Sequence, residues 1–345
     1  MPVTDQLSER ELRVLEAVIR SYVESAEPAG SQTIARRCGL GVSPATIRSI
    51  MGELEEKGYL FHPHTSAGRI PTDRGYRVYV DSLMRLAPPS DHDQQAIEVE
   101  LRGSRSVVEE LLQRAAQVLG VLTQELGVAV APALDRLVLE RLELVQVAPD
   151  RVLLVFNLRS GVVRTIFVQV PSAVPPEAVQ RVTNLLNERL GGLTLAEIRT
   201  SLPQRLRDAD SGVAGRQLLN IFLAEGDGLF DLSADSNAVH LGSAQMLADQ
   251  PEFASNARMR ELLELTERRD LLHEALERRR RVGVAITIGG ENADPRLNDL
   301  TLVTSSYQVG ELSGVIGVMG PTRMPYDKII GLVEHTSRLV EGLLA

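Results

Sequence analysis

The sequence predicts an α+β protein in which an N-terminal winged helix-turn-helix precedes an antiparallel sheet that is interrupted by helices. Two observations lead to this fold class. Within residues 31–72, two capped helices joined by a glycine-bearing turn are followed by an extended segment and a polar loop. Strand-like runs, rich in β-branched residues, then occupy residues 137–170, give way to helical patterns over 175–280, and return at 282–319.

The first helices carry clear start signals. Ser8 and Glu11 form a capping box, which predicts a supporting helix from there to about Ser25. Ser31 caps a short second helix, and residues 39–42 form the tight turn. Ser43 then caps a third helix, with Pro44 at the first helical position, where its missing N–H costs nothing.

The third helix is amphipathic. Its apolar residues recur every three or four positions, at Ile47, Ile50, Met51 and Leu54. Thr46, Arg48, Ser49 and Glu53 lie off this stripe and are expected to face outward. Gly58 ends the helix as a left-handed cap, and the loop at 62–71 is the predicted wing.

A helix with exposed hydroxyls and an arginine near its N-terminus, followed by a basic loop, is typical of DNA recognition. The helix would enter the major groove, and the wing and the next helix would lie along the backbone. An amphipathic helix of this kind can also be plain solvated surface, and the same applies to the arginines beyond the wing. The candidate DNA contacts are Ser43, Thr46, Arg48, Ser49, Ser66, Gly68, Arg69, Arg74 and Arg77.

The charge distribution limits how such a protein binds DNA. The formal net charge is −9, yet residues 1–86 contain eleven basic and eleven acidic side chains, so the excess acid lies in the rest of the chain. Residues 36–80 contain seven basic and four acidic side chains. Phosphate contacts dominate affinity, so this small local excess predicts that dimerisation contributes to tight binding.

Composition excludes several other classes of protein. The single cysteine, Cys38, rules out an internal disulfide or a cysteine-based zinc cluster, and His62 and His64 have no third ligand nearby. The Gly289-Gly290 pair lacks the spacing of a phosphate loop. We find no nucleophile–base pairing, and therefore expect no enzyme, no metal and no cofactor. Without a signal segment or a long apolar run, the protein is expected to be cytoplasmic.

The remaining elements follow in order. A proline-rich linker spans 87–95, and a helix is predicted from Glu98 to Glu125. Three strands then form a meander, helices occupy about 175–224, and one long helix spans about 256–280. We assign all the strands after the linker to one antiparallel sheet. The predicted domains are 1–86, then 96–194 with 276–345, and an insertion at 195–275.

The segments ATIRSIMGELEEKGYL at 45–60 and HPHTSAGRIPTDRGYRVYVDSLM at 62–84 resemble the HrcA family of heat-inducible transcription repressors. The sequence resembles the family closely from about Leu7 to Met84, and it resembles the family in general pattern from there to the C-terminus. One departure matters. The family usually has Asn and an acidic residue where this chain has Ser49 and Ile50. A serine hydroxyl cannot make the bidentate adenine contact that Asn can.

The resemblance implies a GAF-like domain that carries an inserted helical dimerisation domain. Apolar residues of that insertion are the candidates for the dimer contact, namely Leu218, Leu219 and Phe222. The same side chains could instead pack within one subunit.

The resemblance also implies a function. Such a dimer represses heat-shock chaperone operons, of the grpE-dnaK-dnaJ and groELS type, through an inverted-repeat operator. The chaperonin GroE supports the active repressor, and heat diverts it. The alternative is a small-molecule-sensing transcription regulator with an effector bound in the GAF-like domain.

Overall fold

The computed structural model describes residues 7–37, 41–63, 68–102, 108–132, 137–159, 163–170, 174–208, 212–230, 239–280, 283–309 and 312–344. The chain separates into two units. Unit 1 contains Met1–Ala129, Val239–Tyr307 and Val315–Leu343, and unit 2 contains Val130–Ala238, Gln308–Gly314 and Leu344–Ala345. The predicted insertion at 195–275 coincides with unit 2 only in part, and its limits stay a prediction.

Unit 1 begins with the predicted helices and a short hairpin. They are α1 (Glu9–Ser25), α2 (Ser31–Arg37), α3 (Pro44–Glu56), β1 (Leu60–Phe61), β2 (Ile70–Pro71) and α4 (Asp73–Val78), which continues as a π-helical turn to Leu83. The capping box of α1 is confirmed, because the Ser8 N–H donates to the Glu11 carboxylate at 2.7 Å and the Ser8 hydroxyl accepts from the Glu11 N–H at 3.3 Å. Ser43 and Thr72 are the N-caps of α3 and α4.

The base of the wing is an antiparallel pair, in which Leu60 faces Pro71 and Phe61 faces Ile70. Arg69 adds a bridge to Ala29, with its N–H donating to the Ala29 carbonyl at 3.0 Å. A Cβ at Gly68 would lie 2.4 Å from that same carbonyl oxygen. Glycine at 68 therefore lets the wing return against the segment before α2.

The rest of unit 1 is a five-stranded sheet flanked by helices. Its elements are α5 (Asp91–Arg102), α6 (Val108–Thr123), β3 (Leu126–Val130), β7 (Val239–Leu241), α10 (Gln245–Ala248), α11 (Asn256–Glu267), α12 (Arg269–Glu277), β8 (Val284–Ile288), β9 (Leu300–Val309), β10 (Leu312–Pro321) and α13 (Tyr326–Leu344). The strand order is β7-β3-β10-β9-β8, and β8 pairs antiparallel with β9. The C-terminal helix buries an apolar face that includes Ile329, Leu332, Val333 and Val340.

Unit 2 is a three-stranded antiparallel meander covered on one face by helices. It consists of β4 (Leu139–Ala148), β5 (Arg151–Leu158), β6 (Val163–Gln169), α7 (Pro176–Leu190), α8 (Leu195–Leu206) and α9 (Gly212–Leu229). Alternate strand residues such as Leu142, Leu154 and Phe156 point into a core shared with the helices. The rings of Phe156 and Phe230 meet edge to face, with centroids 5.3 Å apart.

The prediction of one antiparallel sheet after the linker was wrong. The described strands after the linker form two separate sheets, one of five strands and one of three. The outer edge of β4 is already hydrogen-bonded within unit 2. The Leu139 N–H donates to the Leu193 carbonyl at 2.8 Å, and the Asn187 side chain bonds both the N–H and the carbonyl of Leu142 at 2.7 Å. No backbone group at these positions is left to pair with another strand.

Two helices and one strand also differ from the sequence prediction. The helix expected at 256–280 is two helices that meet at Arg268, and the one expected from Glu98 to Glu125 is α5 and α6. Strand β3 was missed. All five of its residues are buried, so the run lacks the alternation that marks a half-exposed strand. Among the described residues, no helix is long and apolar enough to cross a membrane.

The packing does not support the predicted role of Leu218, Leu219 and Phe222 as dimer contacts. Their side chains are 0%, 3% and 0% exposed, and they belong to the core between the helices and strands of unit 2. A side chain enclosed by its own chain has no surface to offer a partner. We therefore assign these three side chains to the interior of unit 2.

A pair of leucines on α9 tests this reassignment. Leu218→Ala should lower the free energy of unfolding by about 2–5 kcal/mol, because it leaves a cavity in the core. Leu223→Ala should change it by less than about 1 kcal/mol, because Leu223 is 38% exposed. Urea denaturation of the two variants provides the comparison, and equal losses would contradict the assignment of Leu218 to the interior.

Candidate nucleic-acid interface

The N-terminal half of α3 presents an exposed polar surface. Ser43 caps the helix, and its hydroxyl accepts from the Thr46 N–H at 3.2 Å. Thr46, Arg48 and Ser49 are exposed, as the spacing predicted. The opposite stripe is buried against the neighbouring helices and comprises Ile47, Ile50, Met51 and Leu54. The three exposed side chains and the cap thus share one solvent-facing surface that a groove of DNA can reach.

The wing is attached to α3 through Glu55. Its carboxylate makes a 2.6 Å hydrogen bond with His62 Nδ1 and accepts from Arg69 Nε at 3.0 Å. Burial raises the pKa of Glu55, but the hydrogen bonds from His62 and Arg69 outweigh it, so the pKa is lowered. The Arg69 side chain is 14% exposed. Its guanidinium therefore lies against α3 instead of projecting from the loop tip, and Ser66 lies outside the described residues.

The two arginines of α4 have different surroundings. Arg74 is exposed, donates to the Lys57 carbonyl at 3.1 Å, and lies over the Tyr59 ring at 4.5 Å from its centroid. It therefore covers the end of α3 and still faces solvent. Arg77 is 25% exposed and turns the other way, toward the sheet.

Arg77 holds α4 to the segment after β8. Its Nε donates to Glu291 Oε1 at 2.8 Å, a second guanidinium nitrogen bonds Glu291 Oε2, and the same nitrogen donates to the Ile286 carbonyl at 2.8 Å. Its pKa is raised, chiefly by the hydrogen bond with Glu291. Because Arg77 is engaged inside unit 1, we leave it out of the proposed DNA contacts.

Asp73 makes a second link at the same place. Its carboxylate accepts from the Gly290 N–H at 2.9 Å. Gly289 has a φ of +52°, and a Cβ there would lie 2.2 Å from Asp73 Oδ2. The Gly289-Gly290 pair, to which the sequence analysis assigned no role, thus leaves room for the Asp73 carboxylate of α4. Sequence reasoning missed the roles of both Asp73 and Glu291, although the paired glycines after a strand could have indicated a close approach of another side chain.

Arg323 provides a third attachment of the N-terminal helices. It donates to the Val23 carbonyl at 3.0 Å and pairs with Glu252, with a shortest distance of 2.6 Å. No three His, Cys, Asp or Glu side chains are grouped as metal ligands in the part of the chain that the structure describes. Cys38 and His64 lie outside that part.

The sequence is similar to known proteins over almost its whole length. The family profile described as the HrcA protein C terminal domain matches residues 109–330. The chain is 40% identical over 340 residues to the heat-inducible transcription repressor HrcA of Chlorobium phaeobacteroides strain BS1, covering 95% of this chain and 96% of that one. It is 38% identical over 354 residues to the protein of the same name from Chlorobaculum tepidum, covering 98% of each.

A solved structure shares the fold. A hypothetical protein determined by crystallography at 2.2 Å resolution superposes with a TM-score of 0.65 over 98% of both chains. The two sequences are 22% identical, so this likeness concerns the fold alone.

Arg48 is the sharpest test of the α3 surface. Arg48→Ala should weaken operator binding by about 1–3 kcal/mol, because a guanidinium in a groove bonds a guanine or a phosphate through two donors. Arg10→Ala, on the exposed first turn of α1, is the matched control for loss of one positive charge. Fluorescence anisotropy at constant salt measures both. An equal effect of the two changes would remove Arg48 from the interface.

The Arg77–Glu291 link predicts a dependence of stability on pH. Burial raises the pKa of Glu291, but hydrogen bonds from Arg77 and the Ile288 N–H lower it below its ordinary 4.5. Its stabilising effect is therefore complete above the unfolded value and is lost as the pH falls through the lowered pKa. Glu291→Gln should be less stable than wild type at pH ~7, and the difference should shrink below pH ~4.5.

Urea denaturation over this pH range measures that difference. Glu261→Gln is the control, since Glu261 belongs to a pair whose side chains are 50% and 64% exposed. A constant difference between wild type and Glu291→Gln at every pH would contradict the role of the carboxylate.

Proposed function

The chain belongs to the HrcA family of heat-inducible transcription repressors, and from this premise we propose that it represses heat-shock chaperone operons by binding an inverted-repeat operator as a dimer. The family is not enzymatic. The observation that carries the proposal is the surface of α3, where an exposed cap, Thr46, Arg48 and Ser49 stand opposite a buried apolar stripe.

In this proposal, α3 enters the major groove and its first turns read base edges. Arg48 supplies the charged donor pair, and the hydroxyls of Ser43, Thr46 and Ser49 bond phosphates or bases. The wing and Arg74 lie along the DNA backbone, and Gly68 helps to position the wing by letting it pack against the Ala29 carbonyl. Arg69 contributes by holding the wing against α3 through Glu55, because its side chain is largely buried.

A dimer compensates for a weakly basic DNA surface. Arg69 and Arg77 bond carboxylates of their own chain, which leaves fewer cations for phosphates. Two linked DNA-binding domains convert the second contact into an intramolecular one, which raises the apparent affinity. The half-sites should then lie a whole number of helical turns apart, centre to centre.

We place the dimer interface on the outward face of the unit 2 sheet. Val145, Leu153 and Phe167 lie side by side in register across the three strands, on the face opposite the core. Val145 is 45% exposed and Phe167 is 65% exposed, and Val163 on the same strand is 58% exposed. A contiguous apolar patch of this kind marks an interaction surface. A two-fold contact buries the same patch on both subunits.

The proposed circuit includes the chaperonin GroE, which supports the active repressor until heat diverts it to unfolded proteins. This element rests on family membership. A gel shift tests the whole proposal, with DNA from the promoters of the source organism's chaperone operons, at growth and heat-shock temperatures, with and without chaperonin. We expect the protein to retard the DNA at the lower temperature. After heating, we expect chaperonin to restore this retardation. Absence of any specific shift under all conditions would overturn the proposal.

Replacing one aromatic residue tests the interface. Phe167→Glu should yield a monomer at micromolar concentration, because it sets two carboxylates into the apolar centre of a two-fold contact. The monomer should retard operator DNA only at much higher concentration. Leu223→Glu is the matched control, an exposed apolar residue on α9. Sedimentation velocity decides, and a Phe167→Glu dimer as stable as wild type would place the interface elsewhere.

A further inference from the structure

A cavity of about 330 Å³ opens between α12, strand β8 and the segment 291–297 in unit 1. Its volume is within the range of small-molecule sites. Its wall is largely apolar, from Leu271, Ala275, Ala285 and Leu297, with the polar groups of Arg279 and Thr287 among them. The three small or short side chains at 275, 285 and 287 leave the space open. Neither DNA recognition nor the proposed dimer contact uses this cavity.

Arg279 is the unusual member of this wall. Its side chain is enclosed, with 9% of the residue exposed. One guanidinium nitrogen donates to the Thr287 hydroxyl, and Nε donates to the Ala275 carbonyl at 3.2 Å. Nη1 has no hydrogen-bond partner among the described residues. Burial lowers the pKa of Arg279 to about 10, so the group is still charged at neutral pH.

A buried charge without a counter-ion is costly, and an anion beside it recovers part of that cost. Other arginines near the cavity already have a carboxylate as counter-ion. Arg278 pairs with Glu274 at 2.6 Å, and Arg296 pairs with Asp294 at 2.7 Å. No carboxylate of the described residues pairs with Arg279. The cavity is therefore lined by one buried guanidinium that no described carboxylate neutralises.

We propose that this cavity binds a small monocarboxylate with an apolar body, whose carboxylate pairs with Arg279. Glu274, Glu291 and Asp294 also line the cavity, and their charges disfavour a phosphate or any other polyanion. The apolar wall favours a hydrocarbon portion of a few carbons. The Arg279 guanidinium supplies the charge-assisted hydrogen bond that fixes the orientation.

The site is connected to α4. The Thr287 hydroxyl, bonded to Arg279, donates to Asn292 Oδ1 at 2.6 Å. The Asn292 amide donates to the carbonyls of Gly289, Leu297 and Leu300, at 2.8–3.0 Å. The neighbouring Glu291 lines the cavity and holds Arg77 of α4. A carboxylate at Arg279 thus acts on the segment that attaches the DNA-binding helices, and bound ligand should change operator affinity. This last step rests on the proposed repressor function.

Calorimetry without DNA tests the binding itself. The probes are hexanoate, the uncharged 1-hexanol and inorganic phosphate, with full-length wild type, Arg279→Gln and Ala275→Phe. Ala275→Phe fills the cavity and keeps the guanidinium, so it remains informative if Arg279→Gln fails to fold. The control is Arg258→Gln, which removes an exposed arginine of α11 that is paired with Asp299 at 2.6 Å, away from the cavity.

We expect hexanoate to bind wild type and Arg258→Gln alike, and to bind Arg279→Gln and Ala275→Phe at least about tenfold more weakly, a loss of about 1.4 kcal/mol. Equal binding of 1-hexanol or phosphate, no binding of hexanoate at millimolar concentration, or binding unaffected by both cavity variants would overturn the proposal. Operator titration with and without hexanoate then tests the coupling. A failure there with hexanoate binding intact would remove the coupling alone.

Discussion

The contact on which the rest of unit 1 depends is the partly buried link between Arg77 and Glu291. A bidentate guanidinium–carboxylate pair fixes both distance and orientation, and losing one partner leaves a charge half-buried and unpaired. Asp73 adds a bond to the Gly290 N–H from the same turn of α4. Through these bonds the helix after the wing is attached to the end of β8, and with it the DNA-binding surface that we propose.

This attachment explains how a repressor can have so little positive charge to offer DNA. Two of the basic residues that the sequence assigned to phosphates hold the domain together, Arg69 through Glu55 and Arg77 through Glu291. Their charges are neutralised within the chain, so fewer cations remain for phosphates and other contacts must provide more of the affinity. Glu291 of the segment 289–294 both pairs with Arg77 and lines the cavity at Arg279, and we propose that a ligand influences DNA binding through it.

Unit 2 is subject to a different constraint, because the edges and faces of its sheet must be paired or covered. One face of the meander is sealed by helices, and the β4 edge is occupied by Asn187 and the segment around Leu193. The opposite face keeps exposed apolar residues such as Val145 and Phe167. Isolated proteins rarely keep such a face uncovered, because exposed strands and apolar patches promote association. In the dimer that we propose, a two-fold contact between copies of this chain covers this face without adding a further domain.

The sequence by itself determined the elements that depend on neighbours along the chain. The caps at Ser8 and Ser43, the buried stripe of α3 and most strands were predicted, because capping and periodicity involve residues only a few positions apart. The tertiary structure decided which strands pair and which charges meet. Glu291 is 214 residues from Arg77, and the partition into two sheets depends on hydrogen bonds that only folding brings together. Long-range partners leave no local pattern, so the sequence could show Arg77 but not where it points.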